Sequence, residues 1–363
     1  MMKNNKTKIN LAVIFGGRSD EHEVSLASAQ SVLRALDTKK YNIVPISITK
    51  KGNWLVGSKG AAYLDLHASE ISKEAAISLE ASQSLVAIED KKNLSDFAEG
   101  DLKGKIDLVL PILHGSYGED GRIQGMLDML GIPYVFSGVL AHALAMDKPR
   151  AKIVVKNAGV PVVAEYLLAE RNNHDLDEVI KKLSLPLVVK PADLGSSVGI
   201  TIAKDKKSLE KGIERARKYG RAVMLERYIA GREFTVTIMG DDAPETLPII
   251  EIIPKISEFY DYEAKYEEGG SEHICPALIP DSVGHKMQDY AIKAFKAIGC
   301  KDLARVDLIW SRDDNEVYFI ELNTIPGMTA TSLAPEAARA TGLEFSDFLD
   351  KLISGAIQRI NPN

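Results

Sequence analysis

The chain has 363 residues, of which 45 are Lys or Arg and 51 are Asp or Glu, and its formal charge is −6. This length predicts two or three domains, and a content of 45% hydrophobic and 26% charged residues is typical of globular proteins. The negative charge, without any block of basic residues, argues against a nucleic acid or an anionic membrane as partner. The two cysteines, Cys275 and Cys300, are too few for a disulfide framework or a thiolate metal site.

The first third of the chain has the pattern of alternating strands and helices. Residues 11–15 form a continuous apolar run, which is typical of a buried strand and too short for the core of a secretory signal. Apolar residues three and four positions apart predict helices over residues 26–36 and 123–130, and further strands are predicted at 43–48 and 107–113. Such alternation predicts a parallel sheet covered on both faces.

Residues 52–100 interrupt this pattern, and we treat them as an insertion of uncertain structure. No run of about 18 apolar residues occurs anywhere, so no membrane-spanning helix is predicted. Together with the reduced cysteines, this leads us to expect a cytoplasmic protein with no membrane partner.

The remainder predicts two further units, one starting near Met146 and one near residue 231. Their strand patterns lie at residues 186–190, 199–202, 223–226, 233–238, 247–253, 304–310 and 317–322. A helical pattern covers residues 283–298. The polar stretch from Lys255 to Pro276 has little periodicity, and loops of that length in a compact domain are usually lids or binding loops.

Neither G-x-x-x-x-G-K-[S/T] nor G-x-G-x-x-G occurs, so any nucleotide must be held in another way. Residues 190–199 could surround phosphate oxygens with backbone N–H groups, with Lys190 as a point charge, or could form a hairpin turn with a solvated lysine. Residues 115–121 and 323–329 are likewise either ligand loops or ordinary turns. His114 is either a ligand residue or a structural histidine.

Two strand patterns carry polar residues at alternate positions. Arg305 and Asp307 would share one face of the first strand, and Glu321 and Asn323 one face of the second, while Val306, Leu308, Ile320 and Leu322 would point into a core. If the strands are neighbours, oxygen ligands that suit Mg²⁺ converge on one face. The alternative is an antiparallel sheet with one solvated face and a surface ion pair.

Several long stretches together resemble the D-alanine–D-alanine ligase family of the ATP-grasp superfamily. They cover residues 15–26, 114–125, 137–148, 190–199, 259–266 and 305–332, and the resemblance runs from about residue 9 to the C-terminus apart from the insertion. It implies an α/β fold of three domains: a Rossmann-like N-terminal domain (1–145), a central ATP-grasp subdomain (146–230) and a C-terminal subdomain (231–363) with the metal site and a lid at 255–276.

The family joins two D-alanines at the expense of ATP, through a D-alanyl phosphate, for peptidoglycan precursors. The resemblance therefore implies ATP as co-substrate, two Mg²⁺ or Mn²⁺ ions as cofactors, two D-alanines as substrates, and a homodimer. Asp307, Glu321 and Asn323 would hold the metal ions. Lys148 and Lys190 would neutralise phosphate oxygens.

The resemblance also assigns the rest of the nucleotide site and the first substrate. Glu226, Arg227 and Ile229 would lie at the adenine edge, largely through backbone groups, with Arg227 where Lys is frequent in the family. Glu233 would bind the ribose hydroxyls. Glu21 would bind the ammonium group of the first D-alanine.

The remaining assignments concern the first substrate, the oxyanion, the second substrate and the closing loops. His114 would lie near Glu21, and Arg305 and the N–H of Gly327 would stabilise the oxyanion. Ser332 and Lys265 would bind the carboxylate of the second D-alanine, and Ser196 and Tyr266 would form a hydrogen-bonded triad with Glu21. Alternatives are a ligase that uses D-lactate or D-serine as second substrate, or a non-catalytic nucleotide-binding regulator.

Overall fold

The computed structural model of the chain describes residues 8–71, 105–169, 174–193, 199–220, 222–255, 270–329 and 331–360. The insertion predicted at 52–100 is therefore described only as far as residue 71. The described residues divide into two compact units. Unit 1 lies within residues 1–139, 301–303 and 325–363, and unit 2 within 140–300 and 304–324.

The described elements are named in chain order. The strands are β1 Ile9–Gly16, β2 Tyr41–Ile48, β3 Trp54–Val56, β4 Leu108–Ile112, β5 Glu165–Leu168, β6 Leu187–Pro191, β7 Thr201–Ala203, β8 Val223–Arg227, β9 Gly231–Met239, β10 Glu245–Thr246, β11 Ile250–Pro254, β12 Ser271–Ile274, β13 Leu303–Ser311 and β14 Val317–Asn323. The helices are α1 His22–Ala35, α2 Ser58–Ile71, α3 Arg122–Leu130, α4 Val139–Met146, α5 Lys148–Asn157, α6 Leu176–Leu183, α7 Lys206–Ala216, α8 Asp281–Ile298, α9 Leu333–Ala340 and α10 Phe345–Ile360.

Unit 1 contains a four-stranded sheet in the order β3-β2-β1-β4. The pairs β1–β2 and β1–β4 are parallel, as predicted, whereas the edge strand β3 pairs antiparallel with β2. The strand β3 belongs to the segment left uncertain by the sequence, yet Trp54 and Val56 are buried in the core of this sheet. The start of the insertion is thus part of the domain core.

Unit 2 contains two sheets, one of four strands in the order β5-β8-β6-β7 and one of six with the path β12-β11-β9-β13-β14 and β10 paired with β9. The pairs β5–β8, β6–β8, β6–β7, β9–β10, β9–β11, β11–β12 and β13–β14 are antiparallel. Each sheet has its own hydrophobic cluster. Residues 271–274, within the predicted lid stretch, form β12. The division into three domains at residues 146 and 231 stays a prediction.

The long helix α8 shows why the pattern at residues 283–298 predicts a helix. Met287, Ala291, Ala294 and Ile298 recur at helical spacing and are buried in the core of the six-stranded sheet. The helix ends at Gly299, whose φ of 81° is in the left-handed region that favours glycine.

None of the described helices combines the length and apolar character that crossing a bilayer requires.

The strands β13 and β14 contain an irregularity that the alternating pattern does not reveal. The register runs from Asp307 opposite Glu321 to Leu308 opposite Phe319, so Ile320 is an extra residue on β14. A β-bulge of this kind shifts the alternation of faces along the strand. The prediction that Ile320 points into the core is therefore wrong: Phe319 and Leu322 are buried, and Ile320 lines a cavity.

The last helix of unit 1 is held by a buried carboxylate. The side chain of Asp302 is 2% exposed and accepts two hydrogen bonds from Arg359 on α10, at 2.5 and 2.9 Å. One of the same oxygens accepts the backbone N–H of Phe136 at 2.6 Å. Because breaking a buried pair leaves a charge without compensation, this contact contributes to the stability of unit 1.

We expect Asp302→Asn to lower the free energy of unfolding by about 2 kcal/mol, since it deletes the charge that Arg359 and the Phe136 N–H share. Denaturant unfolding followed by circular dichroism measures this. Asp289→Asn is the matched control, because the exposed pair of Asp289 with Lys293 on α8 contributes about 0.5 kcal/mol or less. Equal losses in both variants would contradict the interpretation.

Candidate active site

A cavity of about 500 Å³ opens in unit 2, and residues from both of its sheets line it. The structure brings eight of the residues predicted for nucleotide and metal binding around this cavity. They are Lys148, Lys190, Glu226, Arg227, Ile229, Glu233, Asp307 and Glu321. Apolar walls come from residues such as Val163, Ile202 and Ile320. An apolar cavity with a few converging charged groups is the usual form of a small-molecule site.

Helix α5 positions the first lysine. Asp147 is its N-cap and accepts the N–H of Arg150 at 3.1 Å, and Pro149 favours the start of a helix. Lys148 and Lys152 are one turn apart and both buried, at 7% and 1% exposure. The ammonium of Lys148 is 3.4 Å from a carboxylate oxygen of Glu321.

Lys190 and Glu226 form a buried cross-strand pair. On the antiparallel strands β6 and β8, Glu226 lies opposite Val188, which places it diagonally from Lys190 on the same face. The ammonium of Lys190 is 2.6 Å from one oxygen of Glu226, and Lys152 contacts the other oxygen. Burial, followed by the charge of Lys152, lowers the pKa of Lys190 well below its ordinary value. The lysine is therefore not the solvated side chain of a simple hairpin.

The predicted metal face lies on the pair β13–β14, with Asp307 opposite Glu321 and Arg305 opposite Asn323. Asp307 accepts hydrogen bonds from Thr235 at 2.6 Å, from Asn323 at 3.2 Å and from Arg305, which donates twice at 3.0 Å. The side chains of Asp307 and Glu321 are largely buried, at 14% and 18% exposure.

This geometry bears on both interpretations of the two strands. The two strands are antiparallel, but Asp307 and Glu321 of their polar face line the cavity and are largely buried. Two carboxylates on opposite positions of neighbouring strands, with an amide beside them, are the oxygen donors that Mg²⁺ or Mn²⁺ prefers. The residues therefore fit a divalent cation. Among the described residues, no cluster of three His, Cys, Asp or Glu side chains is a metal site.

The residues predicted at the adenine edge lie at the end of β8 and in the connection to β9. The backbone N–H groups of Arg227 and Tyr228 donate to the carbonyls of Ala164 and Pro186, at 3.0 and 3.1 Å. The N–H of Ile229 finds no hydrogen-bond partner among the described residues. Ile229 lines the cavity, so it is a candidate backbone donor to a ligand there. The guanidinium of Arg227 lies over the ring of Tyr318, 5.9 Å from its centroid.

In unit 1, the carboxylate of Glu21 lies against the backbone of Gly115. A Cβ atom at Gly115 would overlap a Glu21 carboxylate oxygen, and Gly115 has a φ of 69°. Ser19 donates to the carbonyl of His114 at 2.6 Å and accepts the N–H of Glu21 at 3.2 Å. Glycine is thus needed at position 115 for the close approach of Glu21.

His114 is buried and engaged at both ring nitrogens. Nδ1 is 3.2 Å from the carbonyl of Ile325, and Nε2 is 3.1 Å from the hydroxyl of Ser28. Since a carbonyl only accepts, Nδ1 carries the proton, and Nε2 accepts from Ser28. Ser28 in turn accepts the N–H of Met328 at 3.2 Å. These contacts connect His114 to the turn that contains Gly327, and the role of His114 near the first substrate stays a prediction.

Gly327 and Ser332 are close neighbours in unit 1. A Cβ atom at Gly327 would be 2.8 Å from the hydroxyl oxygen of Ser332. That hydroxyl also accepts the N–H of Thr329 at 3.0 Å. Ser332 is the N-cap of α9, where free backbone N–H groups and the helix dipole favour a carboxylate.

The remaining predicted residues, Ser196, Lys265 and Tyr266, lie outside the described residues.

Two residues with close contacts to the site were missed by the sequence analysis. Glu119 accepts the N–H groups of Gly115 and Ile325, at 2.9 and 3.1 Å, and so connects the two loops of unit 1. Lys152 contacts Glu226. The sequence feature that could have indicated Lys152 is its position one turn after Lys148, on the otherwise apolar and buried face of α5.

Comparison with known proteins identifies the family. The model described as D-ala D-ala ligase N-terminus matches residues 10–137, and the model described as D-ala D-ala ligase C-terminus matches residues 154–354. The chain belongs to the D-alanine–D-alanine ligase family. A family member named D-alanine–D-alanine ligase from Natranaerobius thermophilus is 41% identical over 358 residues, which are 97% of this chain and 96% of that protein.

Solved structures of family members share the fold. The VanG D-Ala:D-Ser ligase from Enterococcus faecalis has a TM-score of 0.79 and 34% identity, covering 96% of this chain and 100% of its own. The D-alanine–D-alanine ligase from Bacillus anthracis complexed with ATP has a TM-score of 0.72 and 30% identity, covering 97% and 98%. The predicted family and the predicted α/β ATP-grasp fold are confirmed.

Proposed function

We propose that this chain joins two molecules of D-alanine into D-alanyl-D-alanine at the expense of ATP, for the synthesis of peptidoglycan precursors. The carboxylate of the first D-alanine is a poor electrophile and must be activated. One of its oxygens therefore attacks the γ-phosphorus of ATP, which gives D-alanyl phosphate and releases ADP. The amine of the second D-alanine then attacks the acyl phosphate, and phosphate leaves with that oxygen. No group of the chain is acylated, so catalysis rests on positioning and on stabilisation of charge.

One observation supports this proposal: the charged residues predicted to bind ATP and its metal ions line a single cavity in a member of the ligase family. Lys148 and Lys190 are the point charges for ATP phosphates in a chain without a phosphate loop. The N–H of Ile229 is the backbone donor for adenine, and Glu233 the acceptor for the ribose hydroxyls. The apolar cavity walls accommodate the base.

Asp307, Glu321 and Asn323 are the proposed ligands of two Mg²⁺ or Mn²⁺ ions. When bound, such ions neutralise phosphate oxygens and act as Lewis acids. Arg305 donates hydrogen bonds to both oxygens of Asp307, and Asp307 lines the cavity. We assign Arg305 and the N–H of Gly327 to the oxyanion of the tetrahedral intermediate.

Two of the residues proposed to bind the amino acids, Glu21 and Ser332, belong to unit 1. Glu21, held against Gly115, binds the ammonium group of the first D-alanine. The N-terminus of α9 with Ser332, together with Lys265, binds the carboxylate of the second. Ser196 and Tyr266 complete a triad with Glu21 that excludes water from the hydrolysable acyl phosphate. We expect the active form to be a cytoplasmic homodimer, by analogy with the family.

A second candidate keeps the first step and changes the second substrate to D-serine. The specific observation in its favour is the similarity to the VanG D-Ala:D-Ser ligase, at 34% identity over 96% of this chain. A hydroxy acid such as D-lactate is the corresponding depsipeptide alternative.

The direct assay incubates the purified chain with ATP, Mg²⁺ and one amino acid, and follows ADP and dipeptide. We expect both products with D-alanine, and neither above background with L-alanine, because the amino and carboxylate groups must both reach fixed partners. With equal amounts of D-alanine and D-serine present, the ratio of D-alanyl-D-alanine to D-alanyl-D-serine distinguishes the two candidates. ADP release without dipeptide would contradict ligation.

Glu321→Gln tests the metal assignment. The change removes one negative charge from a site proposed to hold cations, and a loss of about 4 kcal/mol of stabilisation lowers kcat about a thousandfold. Circular dichroism should show an intact fold. Glu245→Gln, at an exposed position of β10, is the matched control and should turn over normally. Near-normal turnover of Glu321→Gln at saturating Mg²⁺ would refute the assignment.

Tyr266→Phe tests the choice of second substrate. D-alanine must attack as a free amine, whereas D-lactate offers a hydroxyl and has no ammonium charge. The deleted hydroxyl is worth about 1 kcal/mol through its proposed bond to Ser196. We expect a modest fall in dipeptide and a measurable gain in depsipeptide, clearest at low pH where the amine is protonated. Chromatography of both products over about pH 6 to 9 measures the ratio. A ratio equal to that of the parent at every pH would show that Tyr266 is not the selector.

A further inference from the structure

Lys152 is a buried charge that none of the assigned roles uses. It lies on α5, one turn after Lys148, and its side chain is 1% exposed. Burial lowers its pKa to about 8. A lysine is almost never so deeply buried unless it is paired. Its position beside the nucleotide cavity therefore needs an explanation.

Two carboxylates surround this lysine. Glu165 on β5 lies directly opposite Glu226 on β8, so two like charges occupy a cross-strand position that is ordinarily unfavourable. The ammonium of Lys152 contacts one oxygen of Glu226 and lies 3.2 Å from an oxygen of Glu165. The lysine thus compensates the charge of both glutamates.

The second oxygen of Glu226 is bound by Lys190, at 2.6 Å. Under the proposed function, Lys190 binds phosphate oxygens of ATP, and the phosphate then competes with Glu226 for the charge of Lys190. Glu226 is 5% exposed, and a buried carboxylate without a cation is strongly disfavoured. Lys190 can therefore exchange its contact with Glu226 for a contact with phosphate only if another cation stays with Glu226.

We propose that Lys152 is a positioning residue of the nucleotide site. It stays paired with Glu226 when nucleotide binds, and so frees Lys190 to bind the phosphates of ATP. This inference rests on the proposed nucleotide-binding function and assigns a residue that touches neither ATP nor the amino acids. Without Lys152, Glu226 retains Lys190, and the phosphates lose one of their two lysines.

Lys152→Met tests the inference, because methionine has a similar length and no charge. We expect its dissociation constant for ADP with Mg²⁺, measured by isothermal titration calorimetry, to rise about tenfold, which corresponds to about 1.4 kcal/mol. Adenosine has no phosphates, so its affinity should stay within about twofold, as should the KM for D-alanine. Lys156→Met, at an exposed position one turn further along α5, is the matched control and should bind ADP like the parent.

Three results would overturn the inference. One is an unchanged affinity of Lys152→Met for ADP. Another is an equal loss of affinity for ADP and adenosine, which would show that Lys152 only supports the cavity wall. A parent chain that binds no ADP at all would instead refute the proposed function, so the two failures are distinguishable.

A second measurement uses the parent chain and applies even if Lys152→Met does not fold. In a crystal structure with ADP and Mg²⁺, we expect Lys190 to contact a phosphate oxygen and to lie beyond hydrogen-bond distance of Glu226, while Lys152 still contacts Glu226. Phosphate contacts from Lys190 with its bond to Glu226 intact, or a Lys152 that has left Glu226, would contradict the exchange.

Discussion

Balance of charge in a region of low dielectric is the constraint on which the cavity of unit 2 depends. Among the described residues, three lysines and three glutamates form a cluster of ion pairs here, and each of these lysines is within ion-pair distance of at least one of the glutamates. They are Lys148, Lys152, Lys190, Glu165, Glu226 and Glu321. A buried charge is tolerated when it is paired, and a charge whose partner is removed is strongly destabilising. The lysines can therefore be buried in this region only because the carboxylates are present, and a polyanionic ligand of the cavity would compete for some of these pairs.

Secondary structure brings this set together from distant parts of the chain. Helix α5 supplies two lysines at a spacing of one turn, and the antiparallel strands β6 and β8 place Lys190 and Glu226 diagonally on one face. The bulge at Ile320 changes the phase of β14, so that Ile320 lines the cavity while Phe319 and Leu322 remain in the core.

Much of the fold was predictable because it follows from periodicity. The parallel pairs of unit 1, the helix α8 and the strands β13 and β14 lie where apolar spacing indicated. The bulge was not predictable, since one extra residue leaves no mark in a short alternating pattern. The role of Trp54 and Val56 in the core was also missed, because a three-residue strand at a sheet edge is too short for a periodic signal.

The site was predictable in its residue types but not in its contacts. Spacing and resemblance selected Asp307, Glu321 and Lys190, yet no sequence pattern shows that Lys190 is paired with Glu226. His114 was ambiguous for the same reason: only the positions of Ser28 and Ile325, far from it in sequence, show that both ring nitrogens are engaged. Contacts between residues distant in sequence depend on the whole fold.

The claim of an acyl phosphate is tested most directly by the fate of one oxygen atom. D-alanine labelled with ¹⁸O in its carboxylate is incubated with the chain, ATP and Mg²⁺, and the phosphate released is examined by ³¹P nuclear magnetic resonance. If the carboxylate oxygen attacks the γ-phosphorus and leaves with phosphate, each phosphate formed together with dipeptide carries one oxygen from D-alanine. Dipeptide formed together with unlabelled phosphate would contradict the account.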